Sequence, residues 1–443
     1  MKTIGFSAFI LGFLLTTAFV GFVSPVIATG TIYIRSDGSV DPATTPIECV
    51  GNIYSFTENI CDEIVVERDD IVVDGAGYIL QGAGSGTGID LSLRTNVTIR
   101  DMEIKEFLYG IYLYSSLNNN LSENNVINNN YGIRLRYSPK NSVSRNNIKN
   151  SFYGIWLSGS SNNTISENNI TSNNHDGIWL SGSSDYNNVY GNNIKNNGYG
   201  MRLDDYSNSI LRNNDVSNNE YNFGVYGSLL SEFIQDIDDS NTVNGRPIYY
   251  WVNRQDMAVP LDAGWIALIN CTCITVENLS LANNGQGMLL AYTRNSTITK
   301  NNITNNIHGI YLSGSSNNTI NENNLTANSG NGIYLYYSSN NTFFRNNFTN
   351  NSNQVHKVGD SINVWDNGIE GNYWSDYEDR YPNAIELNGS GIWDTPYVID
   401  GKNQDNYPLV PEFPTWPSTW LILVVLIFPL TIYKRRLLEK PTR

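Results

Sequence analysis

One phrase returns along most of the chain at intervals of 22 to 24 residues: Gly-Ile-x-Leu, a Ser/Asn-rich bend, an apolar residue, then Asn-Asn-Ile. Its first part stands as Gly110-Ile111-Tyr112-Leu113, Gly132-Ile133-Arg134-Leu135, Gly154-Ile155-Trp156-Leu157, Gly177-Ile178-Trp179-Leu180 and Gly200-Met201-Arg202-Leu203. It resumes at Gly287-Met288-Leu289-Leu290, Gly309-Ile310-Tyr311-Leu312 and Gly332-Ile333-Tyr334-Leu335. A fixed period of this length makes each repeat one coil of a solenoid, stacked on the coil before it. Asn, Gly, Ser and Thr dominate each unit and no segment carries an apolar face at 3.6 spacing, which disfavours helical repeats. A period of two instead turns Ile155 and Leu157 inward and Trp156 outward.

Inward residues recur as columns, Val143, Ile165, Val189, Ile210, then Ile298, Ile320, Phe343, and Ile148, Ile170, Ile194, Val216, then Ile303, Leu325, Phe348. The expected class is all-β, a parallel β-helix solenoid with a cap at each end. The Asn-Asn pairs mark its bend, because asparagine tolerates the left-handed backbone region, and the copies Asn124, Asn146, Asn168, Asn192 and Asn213 are expected to bond amide to amide. The residue before each pair reads Asp101, Glu123, Arg145, Glu167, Gly191, Arg212, Lys300, Glu322, Arg345, an exposed ladder of largely alternating charge. Each such pair contributes about 0–1 kcal/mol.

A net charge of −15 over 443 residues excludes nucleic acid as the natural partner, since phosphate binding needs a basic face. Lys2, an apolar run to Val23 and Ala28 read as a signal peptide over 1–28. The run from Trp416 to Tyr433, followed by Lys434-Arg435-Arg436, reads as one C-terminal membrane helix with its basic tail inside. The remaining chain is then extracellular, where Asn-x-Ser/Thr triplets such as Asn96 and Asn169 can carry glycans and Cys49 and Cys61 can form a disulfide. Cys271 and Cys273 lie too close along one strand for a mutual bond. The expected organisation is an N-terminal cap and first coils over 29–93, β-helix blocks over 94–226 and 263–357, an inserted hairpin or loop over 227–262, a cap over 358–410 and the anchor over 411–443.

Four stretches resemble the NosD-type β-helix family: Asp74–Gly77, Asp239–Tyr250 with its Asn244-Gly245-Arg246-Pro247, Asn283–Gly287, and Gly371–Tyr377 with Asp394–Asp400 and Tyr407-Pro408-Leu409. The resemblance implies a right-handed, exported β-helix whose repeats are also catalogued with carbohydrate-binding and sugar-hydrolase proteins. Pro411-Glu412-Phe413-Pro414 resembles an archaeal surface-sorting signal. Where related caps carry an Asp-rich calcium-like stretch, this chain reads Asn388-Gly389-Ser390-Gly391, with too few carboxylates for a hard cation.

Three chemistries compete. Copper, the role attached to the family name, wants clustered imidazole and sulfur, yet His175, His308 and His356 are scattered, and only Cys271, Cys273 and Met288 come close in sequence. A lyase or hydrolase needs two carboxylates in a cleft, for which Asp204 with Asp205, or Asp236, Asp238 and Asp239, are candidates. Glycan binding is served by the outward column Tyr112, Arg134, Trp156, Trp179, Arg202, Tyr311 and Tyr334, beside Tyr114, Arg136 and Tyr336, unless those rings merely stack on one another. The reading is a non-catalytic, surface-anchored protein in adhesion, envelope structure or polysaccharide binding, with a polysaccharide or envelope glycan as partner and no cofactor or metal. A carbohydrate-active enzyme on the same scaffold is the alternative.

Overall fold

The computed structural model describes residues 30–205 and 208–411. The expected signal over 1–28 and the apolar run from Trp416 to Tyr433 lie outside them. Among the described residues no helix is long and apolar enough to cross a membrane. The fold is an all-β, right-handed parallel β-helix solenoid. Two compact units meet in the sequence between Asn193 and Ile194, inside the repeat rather than at its interruption.

Unit one opens on two antiparallel pairs, Thr31–Ile34 with Val40–Asp41 and Ile47–Val50 with Ile53–Phe56, and then winds into parallel coils. The Gly-Ile-x-Leu phrases form β1 (Tyr109–Tyr114), β2 (Tyr131–Arg136), β3 (Tyr153–Ser158) and β4 (Asp176–Ser181), paired in register so that Ile111, Ile133, Ile155 and Ile178 stand in line. Two further sheets close each coil, one through Val143, Ile165 and Val189, the other through Ile148 and Ile170. All of these residues are fully buried, which is what drives the stacking.

The bend differs in one detail from its expected form. The left-handed residues are the charged ones, Asp101, Glu123, Arg145 and Glu167, at φ of 52° to 62°. The following asparagine is buried in ordinary backbone, and the Oδ1 of each copy accepts the previous coil's N–H: Asn124 to Asn146, Asn146 to Asn168 and Asn168 to Asn192, each 3.0 Å. Each Nδ2 also satisfies a carbonyl, as Asn146 does for Leu121 at 2.9 Å. Burial makes that side-chain bonding obligatory, so asparagine is kept for the inside while exposed long side chains tolerate the strained turn. The charge ladder does form, with Arg145 at 2.9 Å from Glu123 and 4.0 Å from Glu167.

Unit two carries β5 (Tyr199–Asp204), β6 (Asp215–Ser217) and β7 (Tyr221–Tyr226). One coil here is shifted by a residue from the sequence alignment. Leu211 is buried and Ile210 is 41% exposed, and the buried amide is Asn214, not Asn213. Strand β8 (Thr242–Val243) pairs with β6, turns at Asn244 and Gly245 (φ 50° and 75°), and doubles back as β9 (Arg246–Val252). Two consecutive left-handed residues make the tight hairpin turn that Asn-Gly favours. Strand β9 enters the solenoid wall with Ile248 and Tyr250 buried, and pairs parallel with β10 (Trp265–Ile269). The ladder continues through β11 (Gln286–Ala291), β12 (His308–Ser313), β13 (Asn331–Tyr336) and β14 (Asn353–Val358). The last coils end on β15 (Tyr373–Trp374), where Trp365 and Trp374 stack on Phe343 and Phe348.

Candidate functional site

The outward column of unit one is assembled as the spacing requires: Tyr112 pairs with Arg134, Arg134 with Trp156 and Trp156 with Trp179. A second row, overlooked in the sequence although it immediately precedes Gly110, Gly132 and Gly154, runs beside it. Tyr109, Tyr131 and Tyr153 stack with centroids 4.9 and 5.1 Å apart. The rows interlock, Tyr131 and Tyr153 lying 5.7 and 5.1 Å from Trp156.

Parallel pairing holds these rings one strand-spacing apart, so they stack face to face. Trp156 has the Arg134 guanidinium 3.5 Å from its centroid and Trp179 at 4.3 Å, tilted by 13°. Its indole N–H donates to Ser181 Oγ at 2.9 Å. Arg134 is only 8% exposed, and burial pushes its guanidinium down to about 10. At Trp156 the rings do stack on one another, and its neighbours cover both faces. What reaches solvent is a striped edge of ring hydroxyls and C–H groups, bordered by Arg136, which lies 5.8 Å from the Tyr114 ring and 5.3 Å from that of Tyr137.

Within unit two the outward positions do not form one line. Arg202 pairs with Gly224, and a Cβ there would lie 1.9 Å from the Tyr199 hydroxyl, so no outward side chain fits. Arg202 instead binds Asp204 at 2.9 Å and lies 5.3 Å from the Tyr226 ring. Tyr311 and Tyr334 sit on the ladder that follows β6, β8 and β9, not on the ladder of β5 and β7. Tyr226 bridges the two, meeting Tyr311 edge-on at 6.4 Å. Tyr311 is buried and stacks on Tyr334 at 4.6 Å, with His356 beyond at 5.1 Å. His308 packs 5.0 Å from Tyr334, and Asn331 Nδ2 donates to its Nδ1 at 3.0 Å, an assignment that leaves the proton on Nε2. Burial pushes His308 down to about 4.

Among the carboxylates considered for catalysis, Asp236 and Asp238 both face Arg212, at 2.6 and 3.0 Å. The Asp205 carboxyl is raised, by burial and by the nearby charges of Glu232 and Asp204. Cys49 and Cys61 are free, exposed thiols, and Cys271 is buried with Sγ 3.3 Å from the Trp251 carbonyl.

Fold and columns together define a repeat-built β-helix whose surface is ordered in rows. The chain belongs to the family described as periplasmic copper-binding protein (NosD), whose model matches residues 71–248 and 260–379. Among curated proteins none matches the sequence. Solved structures of similar trace include the Azotobacter vinelandii mannuronan C-5 epimerase AlgE6 A-module, at 14% identity over 70% of this chain and 87% of that one, TM-score 0.33. The periplasmic alginate epimerase AlgG matches at 14% identity over 71% and 80%, TM-score 0.35, and the Agl-KA catalytic domain at 14% over 70% and 61%, TM-score 0.30. These are likenesses of fold alone.

Copper does not fit the described residues. His175 bonds Asp176 at 2.6 Å, His308 and His356 are spent on ring packing, and Met288 is in the core. No three His, Cys, Asp or Glu side chains among the described residues converge on a metal position, and copper chemistry is not assigned to this chain.

Proposed function

We propose that the protein is an exported, non-catalytic β-helix that holds a polysaccharide or envelope glycan along its side-chain rows, at the outer face of the membrane that its C-terminal segment anchors. The supporting observation is the register of Tyr112, Arg134, Trp156 and Trp179 beside Tyr109, Tyr131 and Tyr153. Donors and acceptors repeated at one strand-spacing, about 4.8 Å, suit a polymer with a comparable repeat. The contact is by ring edges, hydroxyls and Arg136, because the faces are taken.

The test is co-sedimentation with insoluble polysaccharides, comparing the wild type with the double variants Trp156→Ala/Trp179→Ala and Trp156→Phe/Trp179→Phe. Retention should fall several-fold in the alanine pair and less in the phenylalanine pair, which keeps the stack. Equal retention by all three would sink the reading. The raised Asp205 carboxyl beside Asp204 keeps a glycan-cleaving enzyme as the second reading. Release of reducing ends that disappears in Asp205→Asn would favour it.

A further inference from the structure

The last coils and the cap border a half-open trough of about 900 Å³, within the range of ligand sites. Asn347 and Tyr373, paired across adjacent strands, line it. Leu409 is the next rung beyond Tyr373, and with Gly391 it borders the same trough, tied down by Leu409 N–H to the Asn372 carbonyl and Val410 N–H to the Gly391 carbonyl, both 2.9 Å. A second cavity of about 280 Å³ shares Tyr373 with the first and reaches Trp393.

Two features set this place apart from the rows. Among the described residues no other ring or guanidinium stacks on Tyr373, and its hydroxyl has no partner, whereas Trp156 is covered on both faces. The charged end of the ion ladder also lines it: Arg345 binds Glu370 through Nε and lies 3.7 Å from Glu322. Carboxylates held by a guanidinium keep fixed lone pairs for hydroxyl donors, and the Asn347 amide can both give and accept. Glu322 and Glu370 are matched by Arg345 and by Lys300, 3.7 Å from Glu322, so no excess positive charge recruits anionic sugars.

We propose that this trough binds a short run of uncharged hexose rings, stacked on Tyr373 and hydrogen-bonded by Glu322, Glu370 and Asn347. The inference rests on the glycan reading above but concerns a different place, the C-terminal cap. It is tested on the full chain by calorimetric titration with neutral tetrasaccharides of glucose and of mannose, and with a tetrauronate as the charged probe. The variants are Tyr373→Leu, Tyr373→Phe and Trp156→Ala/Trp179→Ala, each checked for an unchanged thermal transition. Saturable binding of a neutral tetrasaccharide is expected, weakened at least about tenfold in Tyr373→Leu, or about 1.4 kcal/mol, and retained in Tyr373→Phe and in the tryptophan pair. Should Tyr373→Leu not fold, Glu370→Gln must weaken binding in its place. Preference for the tetrauronate, indifference to Tyr373→Leu, or no tetrasaccharide binding would overturn the trough. If long polymer were still retained in that last case, the reading of the rows would survive.

Discussion

At the scale of single residues, adjacent positions do opposite work. Arg145 takes the left-handed turn and meets only exposed carboxylates, while Asn146, next to it, is buried and bonded on every polar atom. Removing a buried partner leaves donors and acceptors unsatisfied at about 1–3 kcal/mol each, whereas an exposed ion pair contributes under about 1 kcal/mol. Asn146→Ala should therefore lower stability by roughly 2–4 kcal/mol and Arg145→Ala by less than about 1, read by denaturant unfolding. His308 adds a pH dependence. Its folded value, about 4, lies below its ordinary 6.5, so the stability it supports is complete above 6.5 and is lost as pH falls toward 4. His308→Gln should flatten that acid limb of the melting-temperature profile; an unchanged limb would place the titration elsewhere.

At the scale of the strand, the repeated glycine is set by close approach rather than by backbone freedom. A Cβ on Gly132 would lie 2.6 Å from the Gly154 carbonyl oxygen and 2.8 Å from Ile148 Cγ2. Gly132→Ala should push neighbouring coils apart and destabilise by about 1–3 kcal/mol, with a lowered thermal midpoint as the readout. Periodicity made the inward columns legible, because Ile, Val and Leu at period two have one arrangement that buries them. It misplaced Ile210, since Ile210-Leu211 offers two apolar neighbours and only the pairing of Leu211 with Ile237 decides which turns in. The rows were legible as positions but not as surfaces. Whether Trp156 shows a face or an edge depends on the tilt of Arg134 and Trp179 against it, which no single coil records.

At the scale of the whole molecule, each end of a parallel stack needs a cover. The C-terminal cap does this with rings: Trp365 on Phe343 at 4.3 Å, Trp374 on Phe348 at 4.4 Å, and Tyr397 on Trp374 at 4.2 Å. A chain ending at Val358 should associate in a concentration-dependent way by light scattering, and a monomer melting like the full chain would contradict this. Within the cap, burial pushes the Asp405 carboxyl up to about 6 although Asn372, Trp374 and Tyr407 donate N–H bonds to it. A raised carboxylate contributes stability that is complete below its unfolded value near 3.8 and is lost as pH rises toward 6, here about 3 kcal/mol. The wild type minus Asp405→Asn difference in unfolding free energy should fall across that window.

The sequence by itself determined the period, the β class, the inward columns and the charge ladder, because each follows from a local pattern repeated once per coil. Only the tertiary structure decided how unit two passes its interruption. The reversal at Asn244-Gly245 hands the ladder of β6 and β8 to β9, and Tyr311 and Tyr334 thereby leave the line of Arg202. A turn dipeptide announces that the chain reverses, but which sheet it rejoins is settled by what Ile248, Tyr250 and Trp265 can bury.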